Sequence, residues 1–208
     1  MSITESAEAP SIHRRILQLQ RFTIAWMMVE AAVSLLAAWR AHSPALLGFG
    51  GDSAIELLSA AVVFRRFRSN SNHALTERYA ARIAGALLMV LALFVAITSG
   101  LSFLGYRQPQ TSRLGIAVLL LAAVIMPWLA REKRKLAAAT SSAALRADAA
   151  ESALCGYLAW IALAGVLLNA LWEKPWADPL AALLLIPLIL REGWEALGSS
   201  RSSCAGSE

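Results

Sequence analysis

Charge is scarce in this sequence. Asp, Glu, Lys and Arg make up 16% of its 208 residues, whereas a soluble domain carries about a quarter. An ordinary water-solvated globule is therefore excluded. Histidine is rarer still: His13, His42 and His73 all sit in polar stretches, so none is available inside an apolar run. Of the two cysteines, Cys155 lies in an apolar block and Cys204 in a polar tail, and neither belongs to a CxxC pattern. That usage excludes a disulfide framework and a zinc ribbon. Residues 1–15 hold Glu5, Glu8 and Pro10 and lack the basic-then-apolar order of a secretory signal. The net charge is +5, but the basic residues stand in short segments beside apolar blocks. There they set topology, and no nucleic-acid partner is expected.

What is present is apolar sequence in long blocks, 58% hydrophobic with a mean hydropathy of +0.56. This patterning predicts an all-α membrane protein with six transmembrane helices. The spans are expected at about Phe22 to Trp39, Ala45 to Phe64, Ala80 to Leu104, Leu114 to Ala130, Ala147 to Leu171 and Pro179 to Leu190. The last is short and must extend through the amphipathic turns Arg191 to Leu197. Pro127 should kink the fourth span near its inner end. Residues 20–198 thus form one membrane domain between a disordered polar segment, 1–19, and a disordered Ser-rich tail, 199–208. With six spans, fifteen of the nineteen Lys and Arg residues fall on the side of the two termini. Only Arg40, Arg107, Arg113 and Lys174 fall on the other. The positive-inside rule then places both termini in the cytosol and the chain, multi-pass, in the cell's inner membrane.

The chemistry is carried by acids in the wrong solvent. Glu30 lies near the centre of the first span, Asp52 and Glu56 near the centre of the second, and Asp148 and Glu151 in the inner part of the fifth. An ionised carboxylate at bilayer depth costs about 3 kcal/mol on insertion scales. No Lys, Arg or His occupies the middle of an expected span, so the compensating partner must be a proton, water or a bound cation. Asp52 and Glu56 are four apart and share one helix face, and Glu151 and Cys155 repeat that interval on the fifth span. Facing second and fifth helices would gather Asp52, Glu56 and Cys155 near mid-membrane, with Glu151 about 10 Å inward. Two or three carboxylates and a thiolate suit Zn²⁺ or Cd²⁺ as the ion carried. Simpler roles compete at each position. Cys155 can be a small apolar residue, Asp148 a helix N-terminal acid, Glu30 a protonated hydrogen-bonder, and Glu151 a side chain reaching for the inner interface. Gly48, Gly50 and Gly51 would allow close helix approach before Asp52.

At these residues the chain resembles the cation diffusion facilitator family, six-span exporters of divalent metals in exchange for protons. The likeness rests on Leu47-Gly-Phe-Gly-Gly-Asp-Ser-Ala-Ile-Glu56, on Ala177-Asp178-Pro179-Leu180 opening the sixth span, and on Arg191-Glu192 closing it. It covers roughly residues 20–197. The resemblance implies metal/proton antiport by a non-enzymatic transporter with no resident cofactor. It also implies metal ligands at Asp52 and Glu56 and on the fifth span, where Glu151 and Cys155 stand in the family's His-or-Asp and Asp positions and Asp148 is the alternative acid. No soluble metal-binding domain, which many members use to dimerise, follows the sixth span in this sequence. A second copy of the chain remains a candidate partner, besides the bilayer, the metal and protons.

Three other readings compete with this one. An intramembrane aspartyl protease needs Gly-x-Gly-Asp, whereas residues 49–52 read Phe-Gly-Gly-Asp, and no Tyr adjoins Asp148. A carrier of organic cations would call for aromatic residues around the acids, and only Tyr157 and Trp160 are near. A membrane sensor that binds metal without moving it is the main alternative, and metal flux separates the two.

Overall fold

A chain segment inside a bilayer must satisfy its backbone N–H and C=O groups internally, and for long apolar blocks the available solution is helix. The computed structural model describes the backbone at residues 5–68, 74–141 and 143–199, and side chains chiefly at 14–58, 82–141 and 145–197. Among these residues the chain is all-α. The helices are α1 (Glu5–Ala41), α2 (Pro44–Arg68), α3 (Ala74–Phe103), α4 (Arg113–Thr140), α5 (Ala143–Trp172) and α6 (Ala177–Ser199). The polar loop Asn70 to His73, the end of the Ser-rich tail and Cys204 lie outside the described residues.

Local chemistry sets the bounds of α1 and α4. His42 takes a left-handed φ of 52°, and the Ser43 N–H bonds back to Ala38 O at 3.1 Å. Ser112 caps α4 by accepting the Gly115 N–H at 3.0 Å. Ser141, with φ 51°, ends α4 by returning its N–H to Ala137 O.

Two helix bounds differ from the sequence expectation. Helix α1 begins at Glu5, so much of the polar lead expected to be disordered is its first turns. Helix α4 continues past Pro127 and through the basic run 131–135 to Thr140. Helix α6 continues past Leu190 to Ser199, as its short apolar stretch required.

Among the described residues four helical stretches are long and apolar enough to cross a membrane: Arg14–Ala41, Arg82–Phe103, Arg113–Thr140 and Leu145–Trp172. Their apolar residues face outward as well as inward. On α3, Val90, Leu93, Phe94, Ile97 and Leu101 are all exposed, a stripe at helical spacing turned away from the bundle. The interior holds Glu30, Ser34, Asp52, Ser53, Ser99, Lys133 and Ser152, all buried. An apolar exterior around a partly polar interior is the distribution expected when the solvent is lipid.

Around the bundle the helices follow the order α1, α4, α5, α6, α3, α2, and α2 also touches α5 and α6 across the middle. Small residues set the closest approaches. A Cβ on Gly50 would lie 2.7 Å from Ser34 Cβ and 3.0 Å from the Leu35 backbone nitrogen, so α1 and α2 meet nearly backbone to backbone. Gly85 and Gly193 do the same for α3 and α6, where a Cβ on Gly85 would stand 2.8 Å from Gly193 O. Gly85→Val is therefore expected to part α3 from α6 and destabilise the fold by about 1–3 kcal/mol. Thermal unfolding of the purified protein in detergent measures this. An unchanged midpoint would mean that the contact does not hold the helices together.

Candidate metal centre

The starts of α2 and α6 are pinned to each other. Asp178 accepts from Ser43 Oγ at 2.5 Å and from the Ala45 N–H at 3.1 Å, while Ser43 Oγ accepts from the Leu46 N–H at 3.1 Å. One carboxylate from α6 thereby satisfies the open N-terminal turn of α2. From that pin both helices run the same way. Glu56 lies about 17 Å below Ala45 and Glu192 about 21 Å below Asp178 at the helical rise per residue, so they reach one depth to within a turn.

There, one carboxylate oxygen from each of Asp52, Glu56 and Glu192 lies within 4.8 Å of the others. Asp52 is 0% exposed. Both its oxygens, Glu56 Oε1 and Glu192 Oε2 are covered yet have no hydrogen-bond partner among the described residues. The neighbouring Arg191 does not compensate them, because it pairs with Glu195 at 2.8 Å on the exposed side of α6. Three clustered carboxylates with partnerless oxygens need protons or a cation to be stable where they are.

The other sequence-predicted residues go elsewhere. Cys155, expected beside Asp52 and Glu56, instead directs its thiol to Glu30 Oε1 at 3.4 Å and lies 3.9 Å from Ser53 Oγ. Successive residues on a helix turn through about 100°. The side of α2 that meets α5 thus carries Ser53, and the side that meets α6 carries Asp52 and Glu56. Glu30 is fully served: Trp26 Nε1 donates to it at 2.6 Å and Ser53 Oγ at 2.7 Å, besides the thiol. It joins α1, α2 and α5 through a satisfied polar knot.

Asp148 is also occupied. Lys133 Nζ lies 2.7 Å from Asp148 Oδ1 and donates to Ser152 Oγ at 2.8 Å, and Gln20 Nε2 donates to Asp148 Oδ2 at 2.6 Å. Lys133 is wholly buried, which corrects the expectation that no cation is available to these acids. Nor is Asp148 a first-turn acid, since α5 begins at Ala143. Glu151 is exposed on α5, within electrostatic reach of Glu192, Asp148 and Lys133. It stands beside the trio, outside the cluster.

Sequence reading thus missed Glu192 as a partner of Asp52 and Glu56, and Lys133 as a buried charge. Signals for both were present. A sixth span too short without its polar turns draws Glu192 into the bundle. Five consecutive charged residues at 131–135 cannot all face outward from a helix.

Comparison with known proteins agrees with this architecture. Residues 22–203 match the family model of the cation efflux transmembrane domain. The manganese efflux system protein MneS of Bacillus subtilis (strain 168) is 24% identical over 190 residues, 87% of this chain and 65% of MneS. The uncharacterized transporter YdbO of the same organism is 24% identical over 177 residues, 81% of this chain and 61% of YdbO. The chain therefore spans less than two thirds of the length of either relative.

Proposed function

The chain belongs to the cation efflux family, and from that footing we propose that it exports a divalent metal cation through the Asp52, Glu56 and Glu192 cluster in exchange for protons. The observation that carries this reading is the fully buried Asp52, both of whose oxygens lack a partner. A structural acid at that depth would be bonded, as Glu30 and Asp148 are. Carboxylates crowded to within 4.8 Å cannot all stay ionised in the absence of a cation. An empty carrier returns with protons on these oxygens, and a metal-loaded one releases them. The name of MneS, a manganese efflux protein, supports divalent metal as the cargo. In this reading all six helices cross the bilayer with both termini cytosolic. The pinned ends of α2 and α6 face outward, and the cluster lies toward the cytosolic side.

Purified protein in liposomes is expected to move a divalent cation against an imposed proton gradient, with binding weakening as the pH falls and protons compete for the same oxygens. Flux is to be followed separately for Mn²⁺, Fe²⁺, Co²⁺, Zn²⁺ and Cd²⁺. Binding without gradient-driven flux for any of them would replace the transporter by a metal sensor.

A further inference from the structure

Resting on the reading that the cluster carries a divalent cation, the geometry points to an all-oxygen cargo site shared by α2 and α6, with Glu192 as its third ligand and a hard ion of the Mn²⁺ class as its preferred occupant. Sequence spacing directed attention to α2 and α5 and to sulfur. The structure assembles a different donor set.

Three side chains present four covered oxygens without partners: Asp52 Oδ1 and Oδ2, Glu56 Oε1 and Glu192 Oε2. Asp52 is the observation that separates this group from an ordinary acidic cluster. It is 0% exposed and its oxygens have no bond to spend elsewhere. An octahedral ion with metal–oxygen bonds of about 2.2 Å, between those of Mg²⁺ and Ca²⁺, sets neighbouring ligand oxygens about 3.1 Å apart and opposite ones about 4.4 Å apart. Ligand atoms that already lie within 4.8 Å of one another need to close by only a few tenths of an ångström to two. Water can complete the shell from the half-buried side, where Glu56 and Glu192 are partly exposed.

The chemistry of the donors decides the class of ion. Among the described residues no imidazole or thiol belongs to the group, and the Cys155 hydrogen is committed to Glu30. Sulfur therefore gives no preference for Zn²⁺ or Cd²⁺ here. Carboxylate and water sites suit Mg²⁺, Ca²⁺ and Mn²⁺. Mg²⁺ gives up its waters reluctantly, and a fully buried Asp52 requires that it do so. Ca²⁺ takes up to eight oxygens at longer bonds, so the four protein oxygens fill a smaller part of its shell than of an octahedral ion's, which two waters complete. Mn²⁺ meets both limits.

Glu192 is held in place by two contacts that also fix α6 in the bundle. Gly193, its neighbour, lies against the backbone of Gly85, and Asp178 fixes the axial register of α6 on α2. Because the third ligand comes from α6, a shift of α6 along α2 by one turn would dismantle the site.

The test is binding of Mn²⁺ and Cd²⁺ to the full chain in nanodiscs by titration calorimetry, with the Mn²⁺ paramagnetic resonance spectrum as a second readout. Glu192→Gln is expected to weaken Mn²⁺ binding at least tenfold and to change the spectrum of whatever Mn²⁺ still binds. Glu192→Asp should recover part of the affinity, which serves also if the Gln variant fails to fold. Cys155→Ser should leave the ratio of Mn²⁺ to Cd²⁺ affinity within twofold. If Glu192→Gln binds Mn²⁺ as wild type does while Asp52→Asn does not, the α6 ligand is overturned and the transport reading survives. If Cys155→Ser lowers Cd²⁺ affinity tenfold and spares Mn²⁺, sulfur belongs to the site and the hard-ion assignment is overturned. If neither Asp52→Asn nor Glu192→Gln changes binding, the cluster is not the cargo site, and both readings fall together.

Discussion

Asp52→Asn is expected to reduce metal flux at least about a hundredfold, about 2.8 kcal/mol, while the protein stays folded. The amide keeps the volume of the carboxyl but forfeits the charge that binds the cation and the site that holds the return proton. Folding should tolerate the change for a specific reason: neither Asp52 oxygen makes a hydrogen bond, so the native fold draws no stability from them. Replacing a buried unpaired acid by an amide removes a desolvation cost, and the thermal midpoint is expected to hold steady or rise. Glu56→Gln should lose flux alike, and because an amide can keep the bond that Glu56 makes to Glu192, its midpoint should also hold. Initial rates in proteoliposomes at matched protein content, beside unfolding curves for the same preparations, provide the measurement. Normal flux in either variant would make that residue structural. Lost flux together with a lowered midpoint would assign the effect to folding.

Asp148→Ala should show the reverse pattern, with stability suffering most. Removing it strands Lys133, which is 0% exposed and whose other side-chain bond among the described residues is to Ser152. An uncompensated buried charge costs about 3–5 kcal/mol. Asp148 is 29% exposed, so water can reach the vacated place and the lower end of that range is the expectation. Replacing both partners, Lys133→Met with Asp148→Asn, removes the stranded charge and should restore most of the loss. Such recovery separates an ion pair from two independent contributions. Because Asp148 lies outside the Asp52, Glu56 and Glu192 group, the double variant is expected to transport with nearly unchanged apparent affinity. If the single variant unfolds at the wild-type temperature, the pair carries no stability. If the double variant loses metal affinity instead, Asp148 takes part in binding.

These two outcomes show how far the residues themselves lead. A low charge content, apolar blocks and the clustering of Lys and Arg are one-dimensional properties. A bilayer responds to them directly through solvation, so the membrane class and the helix count follow from composition and order. The placing of Asp52 and Glu56 together at depth follows in the same way. A four-residue interval on a helix defines a shared face wherever that helix is placed, and the cost of an acid at depth does not depend on its neighbours. Identity of class and the second-helix pair were therefore legible, and the resemblance to the metal exporters followed from the same residues.

Partnership was not legible, because it depends on how each helix is rotated and which neighbour it meets. Cys155 and Glu151 repeat the spacing of Asp52 and Glu56, yet equal spacing carries no information about facing. Ser53 rather than Asp52 meets α5, which gives Cys155 to Glu30. Lys133 reads as one of five charges in a cytosolic loop until α4 is found to continue through it. The rotation of that helix then places one ammonium inside, where Asp148 waits. Glu192 reads as the end of a span until Asp178 and the Gly85–Gly193 approach fix the register of α6 against α2 and α3. Solvent, helices and acids placed at depth are all readable from the order of the residues. Which of those acids meet is settled in three dimensions, because a meeting is set by backbone approach and axial register between helices far apart in the chain, and neither is encoded in the local pattern of any one of them.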